Sequence, residues 1–344
     1  MKLAYMVKIS KAYKRIITFL LLGLIFSSIA IPYNLNNKNY LKIRTISSNT
    51  NLNVVTTITI IQDIVENIVG HKVLTIVKGN ADPHSYDPTP SEIEALSNAD
   101  IIFRMGISGI EPWWRSEWNS KAIILVNDSM LKPDPLINNE LNPHVWMDPH
   151  NIKWFSLKIN ETLCIKDPSN LAIYSNNTKG YLDQLNSLLY NITTSQFEGT
   201  KVVINHPAFY YLFMLINVSR LAVIQKGEDK EPSAQDIANV INIMKEHNCH
   251  LIITDPQHVT ENVYEIARET KSKIAILTPL LNVIVNWNNE KIEIKSYIQM
   301  INYDLWALAN PIAPPSVFQS WLIFLIVAIV VFSLIGVLTY IRRR

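Results

Sequence analysis

Three histidines of the sequence share one local setting. His84, His144 and His206 each lie in a loop that contains proline, and each loop comes after a run of residues typical of a β-strand. Proline restricts its own backbone and that of the residue before it, so these loops are expected to be stiff. In open α/β sheets, ligands bind beyond the carboxyl ends of the strands. The three imidazoles are therefore predicted to converge on a single site.

Imidazole nitrogens gathered in this way would suit a transition-metal ion. Zinc binds neutral imidazole with bonds of about 2.0–2.1 Å, whereas manganese prefers oxygen ligands. A single loop histidine more often binds nothing, so the hypothesis depends on three of them in matching contexts. We predict Zn²⁺ as the bound ion, with Mn²⁺ as the alternative.

Strand-like and helix-like runs alternate along the chain. The strand-like runs are residues 54–60, 73–77, 101–105, 122–126, 202–205, 221–225, 251–254 and 274–277. Ser91-x-x-Glu94 and Ser233-x-x-Asp236 indicate helix starts. Apolar strands separated by amphipathic helices predict parallel sheets covered on both faces. The predicted fold class is α/β, with two Rossmann-like lobes joined by a long rigid helix that Pro168 must kink or break.

Both ends of the chain carry membrane-directed patterns. Basic residues followed by an apolar run within residues 1–32 are typical of a signal peptide or signal anchor. No cysteine follows that run closely, so lipid attachment is not expected. Residues 321–341 are apolar and uncharged, long enough to cross a bilayer, and 342–344 are arginines, which favour the cytoplasmic side. We expect a protein of the cell membrane whose globular part is extracytoplasmic.

These patterns divide the chain into eight predicted segments. They are the signal segment (1–32), a linker (33–51), an N-terminal lobe (52–150), the interlobe helix (151–198), a C-terminal lobe (199–310), a stalk (311–320), a transmembrane helix (321–341) and a cytoplasmic tail (342–344).

Charge and cysteine content exclude other classes. The net charge of +2, from 31 basic and 29 acidic residues, creates no field that would attract nucleic acid. Two cysteines provide neither a disulfide framework nor a thiolate zinc site.

Longer motifs surround the histidines. They are residues 81–91, Glu111-Pro112-Trp113, residues 142–149, residues 205–211, Glu231-Pro232-Ser233 and Asp255-Pro256-Gln257. In these motifs and their order, residues 54–308 resemble the zinc- and manganese-type substrate-binding proteins of ABC transporters. The resemblance implies that the chain captures a divalent metal ion and delivers it to an ABC permease. It also implies that His84, His144 and His206 are metal ligands.

The sequence departs from that family at the fourth ligand. The family commonly supplies a carboxylate where this chain has Thr278, and threonine is a poor zinc ligand. Water or Asp255 is expected to complete the site, although Asp255 could instead cap the helix after Pro256. His258 shares the loop of Asp255 and its role stays open.

Two other function classes remain to be weighed against metal capture. Three histidines and a water also form the open site of a zinc hydrolase. Against this, the chain has no H-E-x-x-H helix and no glutamate beside a ligand to act as general base. A surface adhesin that has lost metal binding is the other alternative. The leading prediction is a metal-capture protein that is not an enzyme.

Overall fold

The computed structural model describes residues 45–48, 50–79, 81–227, 231–288 and 290–315. Within these ranges, no helix is both long enough and apolar enough to cross a membrane. The predicted signal segment (1–32), transmembrane helix (321–341) and cytoplasmic tail (342–344) lie outside the described residues.

The first lobe is built on a four-stranded parallel sheet with the strand order β2-β1-β3-β4. Its strands are β1 (Val54–Thr56), β2 (Leu74–Thr75), β3 (Ile101–Arg104) and β4 (Ala122–Ile124), and its helices are α1 (Thr59–Val69) and α2 (Pro90–Asn98). Val54 and Ile101 pack into the main core, while Val55 and Ile102 pack into a smaller cluster. Apolar side chains thus cover both faces of the sheet, as the sequence predicted.

A second parallel sheet, with the order β10-β9-β7-β8, forms the other lobe. Its strands are β7 (Lys201–Ile204), β8 (Ser219–Val223), β9 (Leu251–Thr254) and β10 (Lys273–Ile276). The helices of this part are α5 (Tyr210–Leu215), α6 (Ala234–Glu246), α7 (Glu261–Glu269) and α8 (Tyr297–Ala309). The prediction of an α/β fold with two parallel-sheet lobes is confirmed. Two antiparallel hairpins, β5 (Lys132–Asp134) with β6 (Glu140–Asn142) and β11 (Val283–Trp287) with β12 (Glu290–Ile294), were not predicted.

The segment predicted as one interlobe helix consists of two. Helix α3 (Pro149–Lys166) ends before a single 3₁₀ turn (Pro168–Asn170), and α4 (Leu171–Thr193) follows. Pro168 causes the break, because it has no N–H to donate and disfavours helical backbone at Asp167. The two helices pack against each other, and α4 alone leads into the second lobe.

Several predicted boundaries were wrong for local reasons. Helix α2 is capped at Thr89, whose N–H donates to Glu92 at 3.0 Å, and not at Ser91. Pro90 is the reason, because proline suits the first position of a helix and moves the cap to the residue before it. The first strand ends at Thr56, since Ile60 already belongs to the buried stripe of α1. The helix start predicted at Ser233 is confirmed, because Ser233 and Asp236 form a reciprocal capping box.

Parts of the predicted linker and stalk are ordered against the lobes. The backbone of Ile46 forms hydrogen bonds with the Asn177 side chain in α4, and the Ser48 hydroxyl donates to the Val69 carbonyl. At the other end, Ile312 pairs in an antiparallel bridge with Ile274 of β10. Residues 45–48 and 311–315 therefore belong structurally to the globular part.

Helix α8 ties the end of the second lobe to the first. The Tyr297 N–H donates to Asp63 in α1 at 3.1 Å, and the Tyr297 hydroxyl donates to the Trp146 carbonyl at 2.7 Å. Nearby, the Leu281 N–H donates to the Thr59 hydroxyl. The main buried cluster is also continuous through both lobes. These contacts predict a body that does not hinge widely.

The motif residue Glu111 has a structural role. Its fully buried carboxylate accepts hydrogen bonds from the Arg104 guanidinium at 2.8 Å and from the N–H groups of Met105 and Gly106. This ion pair fixes the turn at the carboxyl end of β3.

We predict that Glu111→Ala destabilises the chain by about 3–5 kcal/mol, because it leaves the Arg104 charge buried and unpaired. Glu117→Ala is the matched control, since Glu117 forms only an exposed pair with Arg115 at 3.8 Å and should cost less than about 1 kcal/mol. Urea unfolding followed by circular dichroism measures both. Equal stabilities of the two variants would contradict the structural role of Glu111.

Candidate metal centre

His84 is held by the loop that follows β2. Its N–H donates to Asp82 at 3.0 Å, and Asp82 also accepts from the Ser85 hydroxyl, so the aspartate braces the loop from within. The His84 Nδ1 lies 2.6 Å from the Gly109 carbonyl oxygen. A carbonyl can only accept, so Nδ1 carries the ring proton and the lone pair of the neutral ring lies on Nε2.

His144 is held in the same way by an asparagine. The Asn142 Oδ1 lies 3.0 Å from both the backbone N and the ring Nδ1 of His144. The Asn142 amide is oriented by its other end, where Nδ2 donates to Asp134 and to the Pro207 carbonyl. Nδ1 of His144 therefore carries its proton, and Nε2 again offers the lone pair. Asn142 belongs to the sequence motif of residues 142–149, but this orienting role was not predicted from the sequence.

The two Nε2 atoms face each other at 3.2 Å. Burial, together with the neighbouring His206, His84 and His258, lowers the pKa of His144 well below its usual value, so that ring stays neutral. At this distance two imidazole nitrogens can share a proton in an N–H···N hydrogen bond or bind one cation in common. Ligands of a tetrahedral zinc with bonds of about 2.0–2.1 Å stand about 3.3–3.4 Å apart, close to the observed separation.

His206 comes from the second lobe, two residues beyond β7. It is buried, and one of its ring nitrogens lies within 4.8 Å of ligand nitrogens of His84 and His144. The three histidines that the sequence predicted to converge are thus brought together, with two from one lobe and the third from the other.

Asp255 is fully buried and groups with His206 and His258. Its Oδ2 lies 3.6 Å from His206 Nδ1, and its Oδ1 lies 2.7 Å from His258 Nδ1. Burial alone would raise the pKa of the Asp255 carboxyl, but these two histidines lower it below its usual range. Asp255 also accepts from the Gln257 N–H, but it does not cap a helix, because α7 begins at Glu261 and its N-cap is Thr260.

His258 was left undecided by sequence reasoning, and the structure brings it to the site. Its ring stacks on His206, with centroids 4.4 Å apart and an interplanar angle of 27°. Its N–H donates to the Asp255 carbonyl at 3.1 Å, so a turn places the two side chains on the same side. The spacing Asp-x-x-His in a loop after a strand was the signal that could have identified it.

Thr278, where the family commonly has a carboxylate, uses its hydroxyl locally. The hydroxyl donates to the Leu280 carbonyl and accepts from the Leu280 N–H. The Thr278 N–H donates to the buried Asp304 carboxyl. Burial and the nearby Asp255 raise the pKa of Asp304 well above its usual value. This turn presents Pro279, whose carbonyl accepts from the Trp146 indole at 2.7 Å. Trp146 and Leu280 thereby wall the cavity that holds the histidines.

Comparison with known proteins agrees with this architecture. The family ZnuA, described as "Zinc-uptake complex component A periplasmic", matches residues 54–310. The manganese-binding lipoprotein MntA of Halalkalibacterium halodurans is 29% identical over 57% of this chain and 68% of its own length. The high-affinity zinc uptake system protein ZnuA of Bacillus subtilis is 26% identical over 75% of this chain and 87% of its own length.

A solved structure extends the similarity to three dimensions. A crystal structure of ZnuA superposes with a TM-score of 0.63 at 25% identity, covering 76% of this chain and 98% of its own. These similarities define a class, the metal-binding substrate-binding proteins of ABC transporters. Within that class, the match over residues 54–310 shows that the chain belongs to the ZnuA family. Proteins of this family bind solutes and are not enzymes, so the hydrolase alternative is excluded.

We predict that Asn142→Ala weakens zinc binding about ten- to a hundredfold, because the His144 ring loses the acceptor that fixes its orientation and proton. Asn98→Ala, on the exposed end of α2, is the matched control and should bind as the parent does. A competition titration against a chromophoric zinc chelator measures both affinities. Parental affinity in a folded Asn142→Ala protein would refute the orienting role.

Proposed function

We propose that the chain captures one zinc ion outside the membrane and passes it to an ABC permease. His84, His144 and His206 each supply one nitrogen, and a water molecule takes the fourth position. Asp255, whose Oδ2 lies 3.6 Å from His206 Nδ1, would accept from this nitrogen after a small movement and so orient the ring. Carboxylates that accept from the second nitrogen of a ligating histidine fix its tautomer and raise its basicity.

One observation carries this proposal. The Nε2 atoms of His84 and His144 lie 3.2 Å apart while both Nδ1 atoms face oxygen acceptors. When both rings are neutral, this arrangement directs two lone pairs at one point, with a nitrogen of His206 close by. A cation with an affinity for imidazole is the ligand that such a point suits best.

The choice of zinc over manganese rests on the donor atoms. One relative is named for manganese and another for zinc, so family membership leaves the choice of metal open. Three nitrogen donors favour zinc, whereas manganese prefers oxygen, and the threonine at position 278 removes the carboxylate that would favour manganese. Zinc should therefore displace manganese from the protein when both are present in equal amounts.

The direct test is His144→Ala in the full-length chain, purified in detergent. Zinc affinity should fall by at least about a hundredfold, since two histidines and water make a poor site. His247→Ala is the control, because His247 is an exposed residue at the end of α6. If His144→Ala binds zinc as tightly as the parent, the proposed site is wrong. If the parent itself binds no zinc, the result favours the alternative of a surface adhesin that has lost metal binding.

Membrane attachment through residues 321–341 is a second part of the proposal. The relative MntA is named a lipoprotein, but Cys249 of this chain is buried and Cys164 lies within α3. The apolar run with its three terminal arginines offers a tether that needs no cysteine.

We expect protease added to intact cells to remove the globular part of the chain, because residues up to about 315 should face outward. An epitope placed after Arg344 should stay protected until the membrane is permeabilised. Immunoblotting for both regions follows the digestion. Protection of the globular part in intact cells would contradict this topology.

A further inference from the structure

His206 belongs to two groups of candidate ligands. One group is His84, His144 and His206, and the other is His206, Asp255 and His258. Within each group, one ligand atom per residue lies within 4.8 Å of the others. In the proposed zinc site Asp255 only orients His206 and His258 has no role, so the second group is not explained as a set.

The two groups differ in how they use the lobes. His84 and His144 come from the first lobe, so the first group needs both lobes to be complete. His206 follows β7 and Asp255 follows β9, which are neighbouring parallel strands of the second sheet. His258 lies in the same turn as Asp255, so the second group belongs entirely to the second lobe.

The geometry of the second group is close to that of a metal site. Asp255 Oδ2 stands 3.6 Å from His206 Nδ1, near the separation of about 3.3–3.4 Å expected between tetrahedral zinc ligands. Asp255 Oδ1 and His258 Nδ1 are 2.7 Å apart, a hydrogen bond that a cation would replace after a small movement of the His258 ring. All three side chains line the cavity, and Asp255 is fully buried.

Two imidazoles and one carboxylate are a donor set that binds zinc and other divalent transition metals. The carboxylate also brings a negative charge, which the three-histidine group lacks. A neutral imidazole has a single lone pair, because its other nitrogen carries the proton. His206 can therefore serve only one of the two groups at a time.

Building on the proposed function, we propose that His206, Asp255 and His258 form a second-lobe subsite that holds the zinc ion when His84 and His144 release it. The two groups then exchange one ion through the shared His206 ring, and the chain never carries two. As the ion arrives, the ring protons of His206 and His258 pass from Nδ1 to Nε2 by way of solvent, which frees the Nδ1 lone pairs that face Asp255. Release of the metal would begin with separation of the first-lobe histidines. The ion would stay on the second lobe until a further step removes it.

The test uses the full-length chain in detergent with zinc alone as the probe. The parent should bind one zinc ion per chain. His84→Ala/His144→Ala removes every first-lobe ligand and should still bind one zinc, about a hundredfold or more weaker than the parent. Adding His258→Phe, which keeps an aromatic ring against His206 but removes the nitrogens, should weaken this residual binding at least a further tenfold. Adding Asp255→Asn should do the same.

Adding His247→Ala to the double variant is the matched control and should change nothing. Cobalt absorption provides a second measurement, because its visible bands should change when His258→Phe is added to the double variant. The subsite is refuted if the double variant binds no zinc, or if His258→Phe and Asp255→Asn both leave its binding unchanged. A double variant with parental affinity would contradict the three-histidine site itself and the order of affinities stated here.

Discussion

The hydrogen bond between Asn142 and the His144 ring is the contact on which the site geometry depends. Because Oδ1 accepts a hydrogen bond from the Nδ1–H group, the ring must direct its Nε2 lone pair at His84. The amide cannot rotate freely, since its Nδ2 is bound to the Asp134 carboxylate and the Pro207 carbonyl. Buried polar networks of this kind hold their members rigidly only when each group is satisfied. The His144 ring is thus held in the neutral form that a metal ion needs.

The same network joins the two lobes. Asp134 of β5 forms a bidentate ion pair with Arg220 of β8, at 2.8 and 2.9 Å, and both side chains are buried. Burial alone would raise the pKa of Asp134, but Arg220 and the other groups that donate hydrogen bonds to this carboxylate lower it below the usual value. A polar chain therefore runs from the second lobe through Arg220, Asp134 and Asn142 to the His144 ring. A change in how the lobes meet would therefore reach the His144 ring, one of the three proposed metal ligands.

Much of the fold and part of the site could be predicted from the sequence. Proline-stiffened loops were enough to select His84, His144 and His206. The reasoning from parallel strand ends holds for His206, just beyond β7, but His144 follows β6 of an antiparallel hairpin that was not predicted. The roles of Asn142 and His258 were harder to predict, since they depend on partners that local sequence patterns do not specify. Asn142 is oriented by the Pro207 carbonyl, 65 positions away in the sequence. His258 can be recognised as a site residue only from its stacking on His206. Local proline chemistry also moved the cap of α2 to Thr89, a detail that the Ser/Glu spacing misrepresented.

The proposed site rests on one assignment, that imidazole nitrogens hold the captured ion. Zinc K-edge X-ray absorption on the zinc-loaded, full-length protein tests it most directly. Imidazole ligation predicts nitrogen and oxygen neighbours at about 2.0–2.1 Å, with the outer-shell scattering of three imidazole rings and no sulfur. A spectrum with oxygen neighbours alone, or with sulfur at about 2.3 Å, would contradict it.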